Sequence, residues 1–495
     1  MADRAAGTAA ADGRFWGWAA LGIVLALTLL RLAYLGLGRF DLYGDEAQYW
    51  TWAEAPAWGY FSKPPMVAWV IWLTTRLFGE DGLAVRMGSP LAHLGTSLVL
   101  YAIGARLYGR RIAFLAAITF ATLPAIFLSS LLISTDPFLL FFWALALYAV
   151  VRAMDAAGSS WWLAAGIAVG LGTLSKYAMA MFPLSIALYL IATPEARRVA
   201  GLKRPLLALA LALLLYAPNL RWNLENGLIS YQHTAANADM HGLQLHPGAF
   251  AEFVLSQFLV FGPILFATLL LAMLRPRQLL REPAARLLLA LILPMALMML
   301  TVSMLSRANA NWAAVVYVPG TLLVVNWLAE RGREGVLRTS LLLHLAIGGV
   351  MLEFHDIARL AGIELTARTD PFRRLMGWQT IGDEVAVALA GSANAVLLVE
   401  DRMLLANLIY SVRPHPLDAV KWNPSRLIRD HYDLSTDIAR VRNRPFLFVS
   451  PEPDPQKVLS RFERVEPLGL ITAPIYPDLE RRYWLFLLDG FKGYG

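Results

Sequence analysis

The sequence predicts a polytopic α-helical membrane protein, with about eleven transmembrane helices and a C-terminal extracytoplasmic α/β domain. Three observations predict it. Of the 495 residues, 58% are hydrophobic and 16% charged, with a mean hydropathy of +0.52. A soluble domain carries roughly 45–50% apolar and about 25% charged residues, so one core cannot hide this excess. The apolar residues come in blocks about 17–25 long, the length a helix needs to cross a bilayer. The basic residues gather in alternate connections between those blocks, as the positive-inside rule requires.

Eleven blocks read as spans: Phe15–Leu37, Val85–Leu107, Ile112–Leu132, Pro137–Val151, Trp161–Leu174, Ala178–Ile191, Leu206–Trp222, Phe250–Leu274, Leu287–Leu305, Trp312–Leu328 and Val336–Phe354. The first is long, carries Arg31 and lacks a small-residue cleavage site, so it reads as an uncleaved helix rather than a signal peptide. Met66–Phe78 is too short to cross and follows Pro64 and Pro65, so it reads as an interfacial helix. With the N-terminus cytoplasmic, the inner connections hold seventeen Lys and Arg, from Arg4 to Arg338. The outer ones hold seven: Arg39, Lys63, Arg76, Arg86, Lys176, Arg221 and Arg307. The net charge of +7 therefore marks cytoplasmic loops and an anionic leaflet, not nucleic acid. The 36 Gly and 27 Pro are ordinary usage and exclude a fibrous chain. The absence of Cys excludes disulfides, thiolate metal sites and a Cys nucleophile.

Residues 1–354 form the membrane part, interrupted by a first outer loop at 38–84 and a second, His-rich one at 223–249 with His233, His241 and His246. Residues 355–495 form the tail. There, Gly382–Ala390 and Met403–Tyr410 read as helices, and Ala395–Val399, Arg444–Ser450 and Tyr483–Leu488 as strands. Alternating strands and helices predict an α/β domain. An odd number of spans puts it outside.

The chemistry-bearing residues cluster on the outer side. Asp45 and Glu46 follow the first span, in a segment that also holds Tyr49 and Trp50; either carboxylate could take a proton from an incoming nucleophile. Lys63 follows Tyr60, Phe61 and Ser62 and precedes Pro64 and Pro65, which stiffen the chain; a fixed ammonium there suits a phosphate. Asp136, before Pro137, lies at the same depth as Asp45, which lets the two converge. Ionisable groups at a membrane boundary are functional by default. Lys176, Arg307, Asn219, Arg221, Asn223, Asn311 and Trp312 fall in other outer turns. Each alone reads as structural more often than catalytic; their clustering carries the information. The histidines match no metalloprotease or zinc-finger spacing, although one of them could help bind a phosphate or an ion. A phosphate leaving group needs cations more than a general acid, so this set points to transfer from a lipid-phosphate donor.

On these segments the chain resembles the bacterial membrane glycosyltransferases of the GT-C fold. The relevant group contains the protein O-mannosyltransferases and the lipid A aminoarabinose transferase. The matching segments are Asp45–Trp50, Tyr60–Pro65, Ser134–Pro137, Ser175–Tyr177, Pro218–Asn223 and Asn309–Trp312, and the likeness extends over about residues 15–330. The resemblance implies a polyprenyl-phosphate sugar donor, an acceptor on the outer side of the bacterial inner membrane, and inversion at the anomeric carbon. It implies that Asp45 is the catalytic carboxylate, with Asp136 as the second acid of the cavity. It also implies that Lys63 and Lys176 contact phosphate. The aminoarabinose group has a Glu, associated with a metal, where this chain has Ser62, a poor ligand; no cofactor is called for and a divalent metal is doubtful.

The expected function is therefore transfer of one sugar from a polyprenyl-phosphate donor to a glycolipid such as lipid A or lipopolysaccharide core. Asp45, Asp136 and Glu46 are the expected catalytic residues. Lys63, Lys176 and Arg307 are expected to hold the donor phosphate, and Tyr60, Tyr49, Asn219, Asn223, His233, Asn311 and Trp312 to line the substrate cavity. A protein hydroxyl is the alternative acceptor. A lipid-linked sugar flippase is the alternative class, but transporters place polar groups at the midplane and often show paired repeats. Neither feature is visible here.

Overall fold

The computed structural model describes residues 2–156, 159–238 and 244–494. His241 lies outside the described residues. Helix occupies the greater part of each of the eleven predicted spans. Among the described residues six helices are long and apolar enough to cross a membrane, or up to eight if each of two bent pairs is one span. Local breaks account for part of the difference from eleven. The third predicted span is two helices, Arg110–Thr122 and Pro124–Ser129, broken where Pro124 removes a donor. The fifth is only the 15-residue helix Ser159–Thr173. The eighth, expected as one span, is Pro247–Val260 and Pro263–Met273, bent by 116°. Its break is at Gly262, whose φ of +89° only glycine adopts freely, followed by Pro263.

The chain divides into two compact units. One comprises Met1–Leu35, Lys63–Val67 and Arg86–Glu353; the other comprises Gly36–Ser62, Ala68–Val85 and Phe354–Gly495. Of the first loop, residues 63–67 thus group with the helical unit and the rest with the tail. In the helical unit an apolar core runs from Leu100 to Leu337 through Trp143, Phe261 and Val318. Fully buried Arg31 in the first helix donates to the carbonyl of Ala121 at 2.5 Å, just before the Leu123–Pro124 break, and its guanidinium lies 4.8 Å from the Phe127 ring.

In the second unit, five strands form one mixed sheet: β1 (Val396–Val399), β2 (Val420–Lys421), β3 (Phe446–Ser450), β4 (Phe462–Tyr476) and β5 (Leu479–Phe491). The order is β2-β1-β3-β5-β4, with β1 parallel to β2 and β3, and β5 antiparallel to β3 and β4. β1 and β3 are fully buried, as their unbroken apolar runs require. β4 escapes a sequence reading because it is an exposed edge strand. It carries Pro467 and Pro474 next to shifts in its register with β5, which is where a sheet tolerates proline.

Candidate functional site

In the helical unit, Asp136 opens the helix Asp136–Ala156 and is 8% exposed. Its Oδ1 accepts from Lys176 Nζ at 2.6 Å and its Oδ2 from Asn311 Nδ2 at 2.7 Å. These two partners come from the turn after Ser159–Thr173 and the 3-10 helix Ala310–Val316. Three segments far apart in the sequence thus meet at one carboxylate. The Lys63 segment joins the same neighbourhood: the Met66 N–H donates to the carbonyl of Leu174 at 3.0 Å, two residues before Lys176. Lys63 itself is half-buried. An ammonium fixed by one carboxylate oxygen keeps its other N–H bonds for a further acceptor, which is what binding a phosphate oxygen requires.

Tyr177, next to Lys176, leads into an amide cluster. Asn219 and Asn223 are fully buried, one turn apart on the helix Lys203–Glu225. Asn223 Nδ2 donates to the Asn219 carbonyl at 3.1 Å and to the Tyr177 hydroxyl at 3.4 Å. Tyr216 and Tyr231 exchange a hydroxyl contact, and the Tyr231 ring lies 5.0 Å from Tyr177. The sequence placed 223–249 in a loop, yet the helix runs on to Glu225 and a further helix covers Ile229–Ala238. That further helix, ISYQHTAANA, mixes small, polar and aromatic residues without a long apolar run that would announce it. His233, expected in the cavity, lies on it half-buried and bonds Asn237 one turn on, at 3.0 Å. Arg307 is exposed, and Trp312 packs against the helical core.

An apolar cavity of about 380 Å³ lies beside this region, with Phe253, Gln257, Phe266, Ile292 and Tyr317 in its wall. Gln257 links it to the site by donating to the Ala310 carbonyl at 3.2 Å, one residue before Asn311.

In the second unit, Asp45 lies in the first turn of the helix Gly44–Glu54. Its Oδ1 is 3.3 Å from Arg402 NH1, which also donates to Gln48 Oε1 at 3.0 Å. Arg402 opens the helix Arg402–Ser411, which Asp401 caps by accepting from the N–H groups of Met403 and Leu404. Sequence reasoning missed Arg402 and Gln48. Arg402 stands 357 residues from Asp45, and no local signal points to it. The two helices meet at Gly44, where a Cβ would stand 2.5 Å from Met403 Cε.

Two expected site residues serve the local fold. Glu46 is 2% exposed, and its Oε2 accepts from the Tyr43 N–H at 2.9 Å, closing a capping box on its own helix. Tyr60 stacks on Trp52 at 4.5 Å; its hydroxyl donates to the Trp52 carbonyl and accepts from the Ala57 N–H. Burial pushes the Tyr60 phenol up to about 12. Tyr49 packs at 5.0 Å from the Trp52 ring. His431 lies edge-on to Trp52 and Tyr60, and burial lowers its pKa to about 4.

Position 62 offers a neutral hydroxyl. Among the described residues no three His, Asp or Glu side chains gather into a set that could hold an ion. Around Asp136, lysine and amide groups are what the described residues offer a ligand.

Comparison with known proteins shows the family and the fold. The chain is 32% identical over 414 residues to the lipid A galacturonosyltransferase RgtD of Rhizobium johnstonii, covering 83% of this chain and 86% of that protein. This chain belongs to the GT-C family of membrane glycosyltransferases. Residues 62–222 match the family described as dolichyl-phosphate-mannose-protein mannosyltransferase. Similarity also extends to the undecaprenyl phosphate-alpha-4-amino-4-deoxy-L-arabinose arabinosyl transferase of Pseudomonas aeruginosa, at 32% identity over 135 residues, 26% of this chain and 25% of that one. The fold is that of ArnT from Cupriavidus metallidurans, crystallised with undecaprenyl phosphate. The TM-score is 0.66 at 16% identity, over 95% of this chain and 98% of that one. Like other GT-C enzymes, this glycosyltransferase combines several apolar membrane helices with a small C-terminal sheet domain.

Proposed function

We propose that this enzyme moves a single sugar, with galacturonic acid the first candidate, from a polyprenyl-phosphate donor to lipid A or lipopolysaccharide core. The observation that carries this reading is the ammonium of Lys176 held at 2.6 Å by Asp136, with Asn311 on the second oxygen and the Lys63 segment alongside. An acceptor hydroxyl oxygen bonds to the anomeric carbon from the face opposite the phosphate. The bond from that carbon to the phosphate oxygen breaks, and the electron pair leaves with polyprenyl phosphate. Lys63, Lys176 and Arg307 offset the charge gained by the phosphate, and the hydroxyl proton goes to a carboxylate, the role that the family resemblance gives Asp45. Attack from the opposite face inverts the anomeric centre. Asp136 acts by positioning Lys176.

In the same reading the chain lies in the bacterial inner membrane, with its N-terminus cytoplasmic and its tail periplasmic. The charge bias of the loops supports this topology. A second reading, transfer to a protein hydroxyl, is favoured only by the family description matched at residues 62–222. The full-length enzyme, given a panel of undecaprenyl-phosphate sugars with extracted lipid A, lipopolysaccharide core and envelope proteins, decides between them by the mass gained by each acceptor. Asp45→Asn is expected to abolish transfer in a folded protein, and turnover near wild type would reject the role given to Asp45.

A further inference from the structure

The tail carries a pocket that the transfer reaction above does not use. It has a volume of about 580 Å³ and is bounded by the segments after β2, around 433–442, and after β5. Five cations line it: Lys421, Arg426, Arg440, Arg442 and Lys492; the two acids are Asp433 and Asp437.

Both acids are engaged by the local fold, Asp433 through both oxygens and Asp437 through one. Asp433 takes Lys421 on one oxygen at 3.0 Å and the N–H of Arg429 on the other at 2.9 Å. Asp437 caps a short 3-10 turn through the Ala439 N–H. Lys421 is further neutralised by Asp430. Among the described residues, Arg426, Arg440, Arg442 and Lys492 form no salt bridge. Four like charges around one concavity repel one another unless an anion sits between them. Tyr494 and Phe491 add ring surface to the same wall. The Tyr494 oxygen accepts from the Asn423 N–H at 3.2 Å, which leaves its own hydrogen to donate. Cations for a phosphate, a hydroxyl donor and ring faces for a pyranose together describe a sugar phosphate.

We propose that this pocket binds a phosphate-bearing saccharide. That the saccharide is the phosphorylated headgroup of the acceptor rests on the glycolipid reading above.

The test is calorimetric titration of the full-length protein in detergent with glucosamine 1-phosphate, beside glucosamine and inorganic phosphate. One equivalent of glucosamine 1-phosphate is expected to bind more tightly than inorganic phosphate, with affinity falling as salt rises, and glucosamine is expected not to bind. Arg426→Gln combined with Arg442→Gln removes two exposed, unpaired cations. This double variant should keep the wild-type melting midpoint and weaken binding about tenfold or more, since a charge-assisted hydrogen bond carries about that factor. Lys176→Met should leave this binding unchanged, which separates it from the donor phosphate site. No binding by the wild-type protein, or equal binding by the double variant, overturns the proposal. Transfer to lipid A without binding here overturns this proposal alone. Binding here with no transfer to any glycolipid overturns the proposed function alone. With an active enzyme, the double variant should raise KM for phosphorylated acceptor, with kcat unchanged and no effect on dephosphorylated acceptor; an unchanged KM overturns the acceptor assignment.

Discussion

Replacing Asp136 with Asn keeps the shape of the side chain and removes the charge that fixes Lys176. The two side chains are 18% and 12% exposed, with Nζ and Oδ1 2.6 Å apart. At an effective dielectric constant of about 20, the attraction at this separation is about 6 kcal/mol. Desolvation of both ions offsets most of it, leaving about 1.5–3 kcal/mol, the net contribution of a hydrogen bond to a charged group. Asp136→Asn should therefore lower stability by about 2–3 kcal/mol, measured by equilibrium unfolding in mixed micelles. It should also slow transfer, because the ammonium no longer has one position. Lys176→Met alone should destabilise similarly, by leaving a carboxylate without its cation. The double variant should recover most of the stability, since removing both buried charges is close to neutral, while transfer stays lost. Stability losses that simply add, with a coupling below about 0.5 kcal/mol, would refute the reasoning. So would near wild-type turnover by Asp136→Asn.

Arg402→Met should change stability by less than about 1 kcal/mol, because both partners of this ion pair are well exposed. It should lower kcat more than it raises KM for donor, since it frees the Asp45 carboxylate; steady-state kinetics check this. Gly44→Ala brings a methyl against the flexible end of Met403, costing about 1–3 kcal/mol; Met403→Ala in the same chain should restore the melting midpoint. His431 has a pKa lowered from 6.5 to about 4 by burial. The folded state therefore binds fewer protons than the unfolded one. Stability falls as pH drops below about 6.5 and levels off near 4, by up to about 3 kcal/mol in all. His431→Phe keeps the ring contacts with Trp52 and Tyr60 and should remove that part of the pH dependence in a melting series.

The distinction between local and long-range information explains what could be read from the chain alone. Lys63 and its two prolines, Asp136 before Pro137, and Lys176 in a two-residue polar turn are legible because a charge in an otherwise apolar stretch is costly and stands out. The buried strands β1 and β3 are legible for the opposite reason: an unbroken apolar run bounded by polar residues has few other uses. β4 was not legible, because an exposed edge strand with two prolines carries no periodic pattern. The bend at Gly262 was hidden inside a block apolar enough to read as one span.

The sequence by itself determined that the chain lives in a bilayer, and which connections between its apolar blocks carry the cations, acids and amides. Those properties follow from composition and from spacing along one segment, and solvation acts on them locally. Only the tertiary structure decided the pairings: Lys176 with Asp136 across forty residues, Asn311 with the same carboxylate, and Arg402 with Asp45 across almost the whole chain. It also decided that Glu46 accepts from the Tyr43 N–H and caps its own helix. Charges choose partners by proximity, and proximity between distant segments is set by how the helices and the sheet pack.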